Sequence, residues 1–281
     1  MPVERACVLL AVNRGSFYRV APPKPGALPV GPASVPGDLA LRAAIESVVL
    51  AFPGSGYRRV THHLHREGWT VNHKRVLRVM RHESLLCQLQ RRWVKTTDSG
   101  HGLRVYPNLL RHERPTGLNQ AWVADITYIR LREQFVYLAT LMDAFSRRVV
   151  GWGLSWEIDR RLVLAALERA LATRQPPGEW IHHSDQGVQY VCGEYTERLL
   201  GAGARISMAA KGTPLENAQA ERFFRTLKQE EVYLHDYETF TEAEASIGCF
   251  IDAVYNEKRL HSALGYRPPN EFEQLFLNGT L

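Results

Sequence analysis

Three acidic residues stand where carboxylates could do chemistry. Asp185 closes the apolar run EWIHHSD, and Glu221 lies inside AQAERFFRTLKQEE, a run with helical spacing. Thirty-five residues separate these two, and Asp125 sits sixty residues upstream of Asp185 within AWVADITYIRL. Carboxylates brought together from separate elements form an all-oxygen site that suits a hard divalent ion, Mg²⁺ or Mn²⁺. Two such ions can drive phosphoryl transfer, one activating an attacking water or hydroxyl and the other stabilising the leaving oxygen in line. Such chemistry needs no histidine or cysteine nucleophile.

Each acid also has a plainer reading. Asp125 is flanked by Val123, Ala124, Ile126 and Tyr128, where a charge is costly unless paired or bound to metal; a structural ion pair or an edge-strand acid facing water would also account for it. Asp185 stands at the carboxyl end of a strand, where sites in α/β sheets form. Glu221 shares a polar helix stripe with Asn217, Arg225 and Lys228 at i−4, i+4 and i+7, so a solvated Glu221–Arg225 pair is its alternative. A fourth acid, Asp143 in LMDAFSRR, is next to Ser146, Arg147 and Arg148 and reads more readily as a cap or ion-pair partner.

The elements that would position these acids follow from hydrophobic periodicity. AWVADITYIRL, QFVYLATLMDAF and RVVGWGLSW are strand-like runs joined by short polar turns, which predicts an antiparallel meander. Asp159 caps a helix RRLVLAALERALATR; EWIHHSD is a fourth strand, GVQYVCGEYTERLLGAG a second helix and ARISMAA a fifth strand. A third helix runs from about Pro214 to Val232 with Ala220, Phe223, Phe224 and Leu227 inward, and a last one from about Thr241 to Arg259 with Ala243, Ile247, Phe250, Ile251 and Val254 inward. This order predicts an α/β fold, a five-stranded mixed sheet with helices on both faces.

The front of the chain differs in kind. Residues 1–120 hold 18 Lys+Arg against 7 Asp+Glu, and the remainder 17 against 22, so the front half is suited to a polyanion. Residues 1–20 read as a partial helix-turn-helix fragment and 21–37, with six prolines, as a linker. Residues 38–95 read as an all-α helix-turn-helix unit: a helix capped by Asp38, a second, YRRVTHHLHREG, ending at Gly68, and a third, HKRVLRVMRHESL, capped by Asn72. Candidate DNA contacts are Arg58, Arg59, Asn72, His73, Lys74, Arg75 and Arg78, with Arg225 and Lys228 beside the acids. His62, His63 and His65 are not followed by a cysteine pair at zinc spacing and read as helix-surface residues, while Trp93 reads as closing a small core, with stacking on a base or sugar as its alternative. Residues 96–117 read as a basic linker tracking a DNA backbone. Further domain limits are 118–237 for the sheet-bearing core and 238–281 for a C-terminal helical extension. The four cysteines are scattered, which predicts neither disulfide nor structural zinc and fits a reducing cytosol. No run reaches the length of a membrane span, and no secretory leader is recognisable at the start.

In order and spacing, WVADITYI, LMDAFSRRVVGW, HHSDQGVQY, ENAQAERFFRTLKQE and YNEKRLHSALGYRPP resemble the OrfB-type transposases of the insertion-sequence-3 family, DDE transposases whose core is similar to that of retroviral integrases. GYRRVTHHLHREGWTVNHKRVLRVM resembles the helix-turn-helix segment that precedes that core. The likeness runs from about Ala6 to Phe276. It implies an RNase H-like core with an acidic triad at Asp125, Asp185 and Glu221, two Mg²⁺ (or Mn²⁺) ions, cleavage at element ends and strand transfer into double-stranded target DNA. It further implies oligomers on paired ends, an upstream-frame helix-turn-helix partner fused by frameshifting, and a prokaryotic, nucleoid-associated cytoplasmic setting. Two positions depart from the family pattern: Glu216-Asn217 replaces a common Asp-Asn pair, and Arg222 stands where serine is frequent. The alternatives are an RNase H-like nuclease that cleaves without joining, and a DNA-binding regulator of the fused enzyme.

Overall fold

The computed structural model describes residues 38–87, 105–210 and 213–281, the side chains of Pro214 and Leu215 excepted. The expected N-terminal fragment, the proline-rich linker and Trp93 lie outside the described residues. The chain divides into residues 1–43 and 44–281. Helix α1 is described over Asp38–Ala51.

Two short helices follow, α2 (Tyr57–Arg66) and α3 (His73–His82). The chain leaves α2 through Gly68 at φ +88°, a left-handed geometry that glycine adopts without steric cost. The Asn72 side chain accepts from the Lys74 N–H at 2.8 Å, capping α3. Val60 and Leu64 of α2 and Val76, Val79 and Met80 of α3 are buried.

Strands β1 (Ala121–Arg130), β2 (Phe135–Asp143) and β3 (Val149–Ser155) form the antiparallel meander. Then come α4 (Arg160–Thr173), β4 (Ile181–Ser184), α5 (Gly193–Gly201), β5 (Arg205–Met208) and α6 (Ala218–Glu230). The sheet order is β3-β2-β1-β4-β5, with β4 parallel to β1 and β5 parallel to β4. Strand alternation sorts β1 between two cores. Ala121, Val123 and Ile129 pack with Phe223 and Leu227 of α6, whereas Trp122 and Ala124 pack with Leu167 of α4 and Tyr195 of α5. Asp159 caps α4 by accepting from the N–H groups of Arg161 and Leu162.

Several elements differ from their sequence pattern. The run from Gly187 to Gly203 is not one helix: a 3₁₀ turn at Val188–Tyr190 precedes α5, so Tyr190 and Tyr195 turn into the same core. The last long helix begins as α7 (Phe240–Cys249) and widens to a π-helix at Phe250–Asn256. The wider turn shifts the inward face, leaving Val254 half-buried and burying Tyr255 and Asn256. Asn256 then exchanges two hydrogen bonds of 3.0 Å with the backbone of Val149 on the edge strand β3. The described part of the expected basic linker does not stand free. Leu109 donates its N–H to Ser207 at 2.9 Å, and Leu109 and Leu110 pack on the α6 side of the sheet. Helix α8 (Pro269–Leu277) ends the fold, its buried Glu273 accepting from Ser146 at 2.7 Å and Arg148 at 2.9 Å.

Helix α4 lies so close to β3 that a Cβ on Gly151 would come within 2.2 Å of the Ala166 carbonyl oxygen. Gly151→Ala is therefore expected to destabilise the protein by at least ~1–3 kcal/mol, the usual cost of overpacking. A urea midpoint equal to that of the parent would show that α4 can shift at no cost.

Candidate active site

The pairing of β1 with β4 sets the site. Trp122 stands opposite His182 and Val123 opposite His183. Asp125 and Asp185 each lie two residues beyond the latter pair, Asp125 in the middle of β1 and Asp185 just past the carboxyl end of β4, on neighbouring chain segments whose strands run about 4.8 Å apart. Asp125 shares a face of β1 with Ala121 and Val123, the face on which α6 packs, and α6 carries Glu221. At the head of α6 the Asn217 amide donates to the Ala124 carbonyl at 3.1 Å. His183 contacts the Glu216 carbonyl through Nε2 at 3.1 Å and Ser207 through Nδ1 at 2.8 Å. These bonds tie the helix to the strands at the level of the acids.

The three carboxylates share one field. The Asp125 carboxyl is pushed up to about 8, first by burial and then by the charge of Asp185, with Glu221 adding to it. The Ile126 N–H, donating at 2.8 Å, and the Lys228 ammonium act in the opposite sense. Glu221, exposed on α6, is raised by partial desolvation against the pull of Arg225. Asp185 accepts from the Gly187 N–H at 3.0 Å. A Cβ on Gly187 would stand 3.0 Å from that same Asp185 oxygen, so the turn is tight enough to favour glycine.

Among the described residues no group of three or more His, Cys, Asp and Glu side chains is close enough as placed to hold a metal ion. The donors themselves, carboxylate oxygens from three elements with their charges in conflict, are the kind a hard divalent ion draws together. The neighbouring histidines are engaged elsewhere: His182 meets the Tyr195 hydroxyl at 2.9 Å, and His183 is held as above. Asp143 is fully buried and accepts from the N–H groups of Asn119, Phe145 and Ser146, the role of a turn cap.

The other candidate residues divide. Lys74 and Arg75 are exposed on α3, Arg78 is half-buried, and His73 at the helix start is exposed. Arg58 is exposed beside the Tyr57 ring. Arg59 instead turns inward to Gly54 and, at 3.3 Å, to Glu230, the buried acid that also takes two bonds from Arg259 at 2.7 and 2.8 Å. It is a strut between α2 and α6 rather than an outward cation, and Asn72 is a helix cap. Arg225 is exposed, whereas Lys228 is half-buried with its ammonium 4.1 Å from the Tyr128 ring centre. Of the three histidines of α2, His62 stacks on Tyr266 at 3.5 Å, His63 stacks on Phe52 at 4.5 Å, and His65 bonds the Val71 carbonyl. Burial lowers His63 to about 4.

Sequence reasoning did not find the work done by Glu216. Its carboxylate takes the Ala210 N–H and the Arg111 guanidinium, both at 2.7 Å, and is held well below the usual range, most strongly by the Ala210 bond. The only signal was a departure from the family's Asp-Asn pair.

Comparison with known proteins settles the family. The chain is 37% identical over 220 residues to the transposase for insertion sequence element IS904 of Lactococcus lactis, covering 78% of this chain and 87% of that protein. The chain belongs to the transposase family of IS3-type insertion elements. It is 36% identical to transposase InsF for insertion sequence IS3A of Escherichia coli K12, across 83% of each chain. An uncharacterized 31 kDa protein of insertion element IS600 from Shigella sonnei is likewise 36% identical, over 79% of this chain and 82% of its own length. Residues 115–214 and 202–269 match integrase core domain families, and residues 37–93 match a helix-turn-helix-like domain. Among solved structures, a simian T-cell lymphotropic virus intasome with a PP2A regulatory subunit is 15% identical, covering 83% of this chain and 74% of that chain at a TM-score of 0.49. The HTLV-2 integrase catalytic core in complex with magnesium is 16% identical, covering 57% and 99% at a TM-score of 0.46. The mixed five-stranded sheet with flanking helices, preceded by helical elements, is the integrase-type, RNase H-like architecture that the motifs implied. No helix of the described residues is long and apolar enough to cross a membrane.

The raised Asp125 carboxyl makes a signed prediction. The folded chain favours the protonated acid, so its contribution to stability is complete below the ordinary aspartate range and is lost as pH rises through about 8. Metal-free protein is expected to have a lower urea midpoint above pH ~8 than near pH ~5, and Asp125→Asn to flatten that decline. An identical decline in parent and variant would place the repulsion elsewhere.

Proposed function

We propose that Asp125, Asp185 and Glu221 are the catalytic carboxylates of this transposase. They would hold two Mg²⁺ or Mn²⁺ ions, and the enzyme would cleave element ends and transfer the resulting 3′-hydroxyl strand into target DNA. The observation that supports this reading is the pairing of β1 with β4, which ends two residues before Asp125 and Asp185, with Glu221 carried by the helix packed on the Asp125 face. A divalent ion bound there would activate the attacking oxygen and stabilise the leaving one. The protein's own part is to hold its oxygens in place. Asn217 and His183 fix the helix against the strands, Lys228 offsets the charge of Asp125 and favours its ionised form, and exposed Arg225 is placed to meet a phosphate.

Residues 38–95 would bind the element ends, with the exposed cations of α3 facing the duplex, and residues 118–237 would carry the chemistry, supported by 238–281. The active form would be an oligomer on paired DNA ends, joined to an upstream-frame helix-turn-helix segment, in a bacterial nucleoid.

Asp185→Asn and Glu221→Gln are each expected to lower end cleavage and strand transfer by more than the ~10- to 100-fold that loss of an outer-shell partner costs at a metal site, with DNA affinity retained. Joined products from a 3′-hydroxyl donor are expected in Mg²⁺; degradation alone would identify a nuclease, and cleavage surviving both substitutions would remove the triad. For binding, Lys74→Ala and Arg75→Ala should each reduce the salt slope of DNA affinity by ~1, whereas Arg59→Ala should act through stability and leave the slope alone. Slopes measured by anisotropy across a salt series that are unchanged in the α3 variants would move the DNA surface elsewhere.

A further inference from the structure

Helix α2 is engaged on two sides. Arg59, His62 and Arg66 recur at helical spacing and share one face, while the buried residues Val60, Thr61 and Leu64 occupy the opposite one. Helix α3, with its exposed Lys74 and Arg75, packs against α2. The first face is taken up by residues from the other end of the chain. Arg59 donates to the Gly54 carbonyl at 3.2 Å and to Glu230 at 3.3 Å, and the same carboxylate receives two bonds from Arg259, at 2.7 and 2.8 Å. The His62 ring stacks on Tyr266, with 3.5 Å between centres and 16° between planes. One turn on, Arg66 meets both carboxylate oxygens of Glu271, at 3.1 and 2.5 Å.

These contacts are spread over ~10 Å of α2 and reach the end of α6, the turn at Tyr266 and the first turn of α8. Contacts to separate elements resist sliding and tilting together, which one ion pair cannot do. Tyr266 adopts φ +57° to take its place, a left-handed backbone that is uncommon for a residue with a Cβ and persists only where its surroundings demand it. Glu230 ends α6, and Glu221 lies about 14 Å back along the same helix. Helix α2 is thereby fixed to the far end of the element that carries an acid of the site.

Phosphodiesters along one strand of a duplex succeed one another every ~3.4 Å. A cationic helix free to drift by that distance would offer the acids the next bond in the strand. Affinity would be the same and the product different. We propose that Arg59, His62 and Arg66 are positioning residues that set the spacing between the duplex segment held by α3 and the phosphodiester cut at the acids of the same chain. The exposed cations of α3 supply affinity, and the opposite face of its partner helix supplies register. The inference rests on the acids and the DNA surface assigned above.

The test uses the full chain, Mg²⁺ and a pool of duplexes of randomised sequence, with cut ends sequenced alongside the bases enriched by binding. The parent is expected to cut at one spacing from the enriched bases. Arg59→Met, His62→Ala and Arg66→Ala combined, and Glu271→Gln alone, are expected to spread the cuts over neighbouring positions while duplex affinity by anisotropy is unchanged. Glu271→Gln removes a partly exposed ion pair, a change of small cost to stability. The parent's single spacing kept by both variants overturns the proposal and leaves the triad standing, as does a parent that cuts at no fixed spacing. A second readout needs no cutting: amide exchange in the combined variant is expected to lose protection in α2 and α3 while α6 keeps it. Exchange equal to the parent's overturns the proposal whatever the cuts show. Absence of cutting by the parent overturns the function proposed above and this inference with it.

Discussion

Like charges repel, and this protein sets two of them just beyond a short stretch of parallel backbone pairing. The parallel ladder between β1 and β4 ends two residues before Asp125 and Asp185, and α6, packed on the Asp125 face of β1, carries Glu221. The cost is visible in the Asp125 carboxyl, displaced to about 8 by burial and by its acidic neighbours. The protein tolerates this because the local backbone is well bonded. Asn217 reaches the Ala124 carbonyl, His183 reaches the Glu216 carbonyl, and the Lys228 ammonium opposes the excess negative charge.

Helix α6 joins this site to the helices in front of it. Glu221 stands in its first turn and Glu230 at its far end, where Arg259 clasps the buried carboxylate and Arg59 of α2 adds a third contact. Such a buried pair is costly to break from one side, because the partner's charge is then stranded. The backbone at Gly54 approaches the Glu230 side chain so closely that even a Cβ would collide with it. Arg66 with Glu271 and His62 with Tyr266 extend the contact along α2. The cationic face of α3 and the acids of the sheet are thus built on one connected body of residues within 44–281.

Much of this was legible in the residues themselves. Alternating apolar runs marked the three antiparallel strands, Asp159 and Asn72 cap the helices their positions suggested, and Ala220, Phe223, Phe224 and Leu227 are the buried face of α6. Period and cap chemistry are local properties, and a local reading recovers them. The π-helix at Phe250–Asn256 was not recoverable in this way, because an α-periodic pattern places Val254 inward. The widened turn is favoured only where Asn256 finds the open backbone of β3. Arg59 and Glu216 escaped for a related reason. Each is an unremarkable charge in the chain, and its partner lies 171 residues away for Arg59 and 105 for Glu216.

By itself the sequence determined which residues could do the chemistry: three acids in two strand-like runs and one helical run, a basic front half, and motifs whose order named the family. It did not determine that the acids meet, because their separations along the chain exclude neither a convergent nor a scattered arrangement. The tertiary structure decided how near their charges come, through a parallel pairing of β1 with β4 and a helix docked across one face, without closing them into a metal-holding group among the described residues. It also decided which charges face outward. Arg59 is drawn into a buried ion pair while Lys74 and Arg75 remain exposed, a choice made by the nearest opposite charge in space and invisible in the order of the residues.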